Sequence, residues 1–148
     1  MKISMPMAPE VTIIIPCYKV GKYLRQCIDS VLNQSNPNIQ VVAVNDASPD
    51  DCGSILDDFA ARDSRLDVVH QAINSGVSVA RNIGMSKAVA PFIMFLDGDD
   101  WLPADAVAKL LVLQQGKMLT SFAPTPDSIP ILDSQVECIS VTPKAITC

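Results

Sequence analysis

The segment FIMFLDGDDWLP, residues 92–103, passes from apolar residues directly into Asp97, Asp99 and Asp100, three carboxylates within four positions. Carboxylates held this close must be protonated, fully solvated or partnered by a cation. One reading is a solvated acidic turn ahead of the next helix, because aspartate is common in both settings. The other is a divalent-metal site. Hard oxygen donors suit Mg2+ or Mn2+, and a Mg2+ site takes one or two protein carboxylates while water and substrate phosphates fill the rest.

Asp46, in VVAVNDAS, is either a turn residue or an acceptor for a base N–H or a ribose hydroxyl. Tyr18 can present its ring to a base or simply pack. Arg81, in SGVSVARN, reads as the first turn of a helix, where backbone N–H groups and the helix dipole already favour anions. It is a solvated surface arginine or, with a diphosphate nearby, a fixed cation. His70 is the one histidine of the chain and reads as structural, with no second imidazole to build a metal site.

The elements that carry these residues follow from hydrophobic periodicity. VTIII (11–15), IQVVAV (39–44), LDVVH (66–70) and FIMFL (92–96) are short apolar runs of buried-strand type. In GKYLRQCIDSVLNQ the apolar Tyr23, Leu24, Cys27, Ile28, Val31 and Leu32 fall on one helical face. A helix over SILDDFAAR is expected to start with Ser48 as N-cap, Pro49 at the first helical position and Asp51 three residues after the cap. Further helices are predicted from about Val77 to Ala88 and from Pro103 through PADAVAKLLVLQQ. The order βαβαβαβα calls for an α/β fold, a parallel sheet in a three-layer α/β/α arrangement with right-handed crossovers. Ligands of such sheets sit beyond the carboxyl ends of the strands, where Tyr18, Asp46 and the acidic cluster all fall.

The chain has 148 residues, enough for one domain, expected over 10–116 behind a short tail, 1–9. Residues 117–148 are proline-rich and without helical period, with one strand-like stretch, VECISV. With 49% apolar residues and a mean hydropathy of +0.27, the chain reads as folded rather than disordered. A net charge of −5 disfavours nucleic acid as a partner and any non-specific grip on an anionic membrane. Five cysteines without a CxxC pair suggest neither a zinc site nor a disulfide framework, so a reducing cytoplasm is the expected location, with peripheral association at the inner membrane face left open. No run approaches the roughly 18 apolar residues of a membrane span.

GxGxxG after the first strand, GxxxxGK[ST] and GxSxG are all absent, which disfavours dinucleotide, P-loop and serine-hydrolase sites. Four motifs instead, VTIIIPCYKVGKYLRQCIDSVLNQ, VVAVNDASPDD, NSGVSVARNIGMSKA and PFIMFLDGDDWLPADAVAKL, resemble in order and spacing the N-terminal half of family 2 glycosyltransferases of the GT-A fold. The resemblance covers about residues 10–115. It implies an inverting transferase that uses a nucleotide-diphosphate sugar, a UDP-sugar first, with Mg2+ or Mn2+, and a saccharide or lipid-linked saccharide acceptor. It places Pro16, Tyr18, Asp46, Arg81, Asp97 and Asp99 on the donor nucleotide, with Asp99 and Asp100 on the metal.

Two departures stand out. Lys19 replaces the asparagine of the usual PxYN, and the acids of 117–148, Asp127, Asp133 and Glu137, do not identify the acceptor's general base. A truncated transferase is therefore one expectation, and a non-catalytic sugar-nucleotide-binding remnant or partner module is the alternative. A phosphotransfer enzyme with Asp97 as nucleophile is a weaker third, because the acidic motif follows the fourth strand and lacks an evident downstream lysine partner on the rim.

Overall fold

The structure, a computed structural model, describes residues 7–116 and 137–140. Nine elements alternate along the chain: β1 (Val11–Cys17), α1 (Gly21–Leu32), β2 (Ile39–Asn45), α2 (Cys52–Ala60), β3 (Leu66–His70), α3 (Val77–Lys87), β4 (Phe92–Phe95), α4 (Ala106–Gly116) and β5 (Glu137–Ser140). The strands form one parallel sheet in the order β3-β2-β1-β4-β5. The strand-like VECISV thus corresponds to β5, which pairs with β4 from Phe92↔Glu137 to Phe95↔Ser140. Asp127 and Asp133 lie outside the described residues.

β1 is central, and all seven of its residues are buried. That explains its continuous β-branched run, since both faces meet helices. Val11, Ile13, Ile15 and Cys17 face one core with Leu24, Cys27, Ile28 and Val31 of α1, Ile55, Leu56 and Phe59 of α2, and Val107 and Leu111 of α4. Among the described residues the opposite face is covered by α3, of which Ala80 and Gly84 are buried. Small residues there let the helix lie close to the sheet, and a Cβ on Gly84 would overlap the Ile14 side chain. Burying one Val or Ile side chain contributes about 1.5–3 kcal/mol, so the larger core dominates the fold.

Two helix starts differ from the sequence reading. α2 begins at Cys52 with Asp51 as the N-cap residue, not at Pro49 after a Ser48 cap. Asp50 takes the first donors instead: its Oδ1 accepts from Cys52 N (3.1 Å) and the Ser48 hydroxyl (2.5 Å), and its Oδ2 accepts from Gly21 N (2.9 Å). One carboxylate therefore holds the N-termini of both α1 and α2, where helix dipoles favour negative charge. Burial would raise its pKa, but hydrogen bonds from Cys52, Ser48 and Gly21 hold it well below the usual carboxylate range.

α4 begins at Ala106, three residues after the expected Pro103. Gln34, buried at the end of α1, explains the delay. Its Oε1 accepts from Val107 N (3.0 Å) in the first turn of α4, and its Nε2 donates to Pro103 O (2.7 Å). A glutamine from another helix thereby does the work of a local cap. With Leu102 N bonded to Ser30 Oγ (3.0 Å), it fixes the segment that follows the acidic cluster.

Candidate functional site

The carboxyl ends of β1, β2 and β4, with the start of α3, enclose a crevice of about 420 Å3 lined by Pro16, Tyr18, Asp46, Asn74, Gly76, Val77, Arg81, Asp97, Gly98 and Asp99 among others. All six residues expected on the donor nucleotide line it. Asp100, expected on the metal, is not among the lining residues.

Asp46 is 2% exposed at the end of β2. Its carboxylate is the anchor of the β3–α3 loop: Oδ1 accepts from Gln71 Nε2 and Ser75 N (both 2.8 Å), and Oδ2 accepts from Gly76 N (2.8 Å). Asn74 Nδ2 donates to the Asp46 carbonyl (3.1 Å). A buried charge is tolerated when hydrogen bonds replace its water, and three N–H donors do so here. Gly76, at φ 91°, supplies the left-handed turn that brings two successive N–H groups onto the carboxylate. The sequence reading missed Gln71, Asn74 and Gly76, although the NSG run ahead of a helix was a turn signal.

Tyr18 is 41% exposed on the β1–α1 turn, with the Lys19 ammonium 5.2 Å from its ring centre. Lys19 adopts φ 57° and Ala47, after Asp46, φ 52°. Two non-glycine residues in the left-handed region on adjoining turns mark a rim held against its own preferences.

Arg81 stands one turn into α3 rather than in its first turn. Its Nη2 donates to Asp97 Oδ1 at 2.9 Å, and its guanidinium lies 5.6 Å from the centre of the Phe95 ring. Its Nε is buried and has no hydrogen-bond partner among the described residues.

Asp97 to Asp100 form a turn closed by Asp100 N to Asp97 O (3.0 Å). A Cβ on Gly98 would stand 2.8 Å from Val20 Cγ2 and 3.3 Å from the Pro16 carbonyl, so glycine lets this turn approach the β1–α1 turn. The three carboxylates do not form a closed cage. Asp97 turns to Arg81, Asp99 is exposed and Asp100 is half-buried. Partial burial, and then the negative charges of Asp99 and Asp97, raise the Asp100 carboxyl above its ordinary value. Among the described residues no group of three His, Cys, Asp or Glu side chains is arranged to hold a metal ion alone. An open pair, Asp99 and Asp100, still fits a cation whose remaining ligands come from a substrate, and that cation would relieve their repulsion.

The chain matches known proteins over most of its length. The profile of Glycosyl transferase family 2 matches residues 12–130. The uncharacterized glycosyltransferase EpsJ of Bacillus subtilis is 44% identical over 104 residues, 70% of this chain and 30% of the relative. Glycosyltransferase GlyA of Streptococcus pneumoniae is 41% identical over 101 residues, 68% of this chain and 14% of its own length. The chain thus spans less than a third of either. In structure it is similar to S. aureus TarS 1–349 in complex with UDP-GlcNAc (TM-score 0.68, 26% identity, 72% of this chain and 31% of that one). It shares the fold of the mannosyltransferase PcManGT from Pyrobaculum calidifontis, solved in complex with GDP-Man and Mn2+ (TM-score 0.66, 24% identity, 75% and 33%). These neighbours are GT-A glycosyltransferases, and the α/β architecture expected from the sequence is theirs. With the profile covering most of its length, the chain belongs to glycosyl transferase family 2.

Proposed function

We propose that residues 10–116 form the donor-binding part of an inverting glycosyltransferase that takes the sugar of a nucleotide diphosphate, a UDP-sugar first, to a saccharide or lipid-linked saccharide acceptor. The observation that carries this reading is the single crevice gathering Tyr18, Asp46, Arg81, Asp97 and Asp99 at the carboxyl ends of the sheet. The solution of TarS in complex with UDP-GlcNAc supports that donor class. Tyr18 offers a face for the base and Asp46 an acceptor for one of its N–H groups. Asp97 accepts from ribose hydroxyls, and Arg81 is a fixed cation for the diphosphate, in a guanidinium geometry that matches two oxygens at once.

Asp99 and Asp100 would hold Mg2+ or Mn2+, whose role is to neutralise charge gathering on the leaving diphosphate. Arg81 supports the same charge from the α3 side, strongest where water is excluded. No described helix is long and apolar enough to cross a membrane, and we place the activity at the cytoplasmic side, peripheral to the inner membrane face.

Calorimetric titration with UDP tests the reading. Binding is expected to need Mn2+ and to weaken at least about tenfold in Asp100→Ala, as loss of a charged ligand does. Binding that ignores the metal, or is unchanged in the variant, overturns it. A second reading is a donor-binding module without transfer. Sugar transfer by the isolated chain to any member of an acceptor panel would reject that reading.

A further inference from the structure

At the outer end of the same rim, His70 closes β3 against Asn45 of β2, its register partner. Asn45 Oδ1 accepts from Ser48 N at 3.0 Å, so the amide oxygen is committed to a backbone donor. The amide nitrogen therefore faces His70 Nδ1 at 3.1 Å, and that ring nitrogen must be an acceptor. The proton of the neutral ring then sits on Nε2, which donates to Asp57 Oδ1 at 2.9 Å. The chain of bonds continues beyond Ser48. Its hydroxyl accepts from Lys19 N at 2.7 Å and donates to Asp50, whose other oxygen accepts from Gly21 N. Three strand ends, β3, β2 and β1, are joined in one polar relay running under Asp46 and Tyr18. Gly53 admits the first turn of α2 against it, since a Cβ there would stand 3.2 Å from Asn45 Nδ2 and 3.6 Å from His70 Cε1.

We propose that His70 is a positioning residue for the donor crevice: only as the neutral Nε2–H tautomer does it hold Asn45, and through Asn45, Ser48 and Asp50 the turns that carry Asp46 and Tyr18. The inference rests on the donor-site reading above. Protonation places an N–H on Nδ1, directly opposite the Asn45 N–H. Asn45 cannot flip to meet it without turning the same donor against Ser48 N. Among the described residues the charged group in contact with the ring is Asp57, from α2; β2 contributes the neutral Asn45. The Asp57 contact survives in both states, and with side chains 42% and 67% exposed it offsets little. The buried contact to Asn45, itself 7% exposed, is the one lost. Donor affinity is therefore full while the His70 ring is neutral and falls once it is protonated.

The chain has one histidine, so its 15N signals need no sorting from others. At pH 8 they should show the Nε2–H tautomer, and the Ser48, Lys19 and Gly21 amide signals should move as His70 titrates. His70→Asn keeps an acceptor near the Nδ1 position and cannot titrate. It should bind UDP with Mn2+ as the parent does at pH 8 and lack the parent's extra loss of about three- to tenfold at pH 5.5, a size set by one buried hydrogen bond. His70→Ala should be weak at both. Asn45→Asp, which now needs a proton on Nδ1, should reverse the trend relative to His70→Asn. An Nδ1–H tautomer, amides that ignore His70, or parent and His70→Asn curves of the same shape would overturn the proposal. If no variant binds UDP at any pH, the donor-site reading fails, and the tautomer and amide shifts still decide the relay.

Discussion

Arg81 and Asp97 show how little a visible ion pair says about stability. Their side chains are 38% and 53% exposed, and pairs of that kind contribute about 0–1 kcal/mol. Yet the guanidinium sits on the crevice wall with an unpartnered Nε. Arg81→Ala should leave the melting temperature within a few degrees of the parent, because ~1 kcal/mol is worth about 2–4 °C in a chain of this size. The same change should weaken UDP binding about tenfold or more, with Arg81→Lys in between, since lysine keeps the charge and loses the fork. Calorimetry on the three proteins separates the two effects; equal loss of stability and affinity would make Arg81 structural.

The elements were largely legible in the sequence because their periodicity comes from burial. β1, β2 and β3 match the apolar runs to within two residues, and of the predicted face of α1 Leu24, Cys27, Ile28 and Val31 are buried and Leu32 half-buried, while Tyr23 is exposed. What failed were helix starts. A local cap reading put Ser48 before α2 and Pro103 at the head of α4, whereas Asp50 and Gln34 satisfy those ends from outside the pattern. Gln34 is separated from Val107 by 73 residues, and no window-based reading joins them. The candidate site divides in the same way. Tyr18, Asp46, Arg81, Asp97 and Asp99 were legible as side chains at strand and helix ends, but the loop donors around Asp46 come from backbone geometry and were not.

Gly84 sets how closely α3 lies on β1. Alanine normally favours a helix over glycine by about 1 kcal/mol, so Gly84→Ala would stabilise an unhindered α3. Here the added Cβ meets the Ile14 side chain, and the sign should reverse. Overpacking of this kind costs about 1–3 kcal/mol. Thermal unfolding should show a melting temperature several degrees lower, and Ile14→Ala, which removes the Cγ2 that the new Cβ meets, should cost less in that background than in the parent. A rise in melting temperature would mean that α3 stands off the sheet.

At the scale of the whole molecule, acid is the condition to which this fold is most exposed. Hydrogen bonds hold Asp50 low against the opposing effect of burial, and the Arg65 side chain, by hydrogen bond and charge, holds Asp63 low. A carboxyl with a depressed folded pKa contributes stability above the unfolded value of about 3.9 and loses it as pH falls through the folded one. The share of the melting temperature that these two carboxyls supply should therefore be level above about pH 5 and fall below pH 4. Asp50→Asn should lower the plateau and flatten the acid slope, because the group that ties α1 to α2 no longer titrates. An unchanged slope would mean that Asp50 contributes nothing to it.

Cys17, Cys27 and Cys52 all stand buried around the first two strands and helices, and burial raises their thiols above the ordinary cysteine value. A thiolate is the species that reacts, so in the closed fold these three are silent. Whatever labels them must first open the larger core, and the speed of their modification counts openings rather than surface. The protein thus carries its own clock for excursions from the native state, read without adding a probe to the crevice.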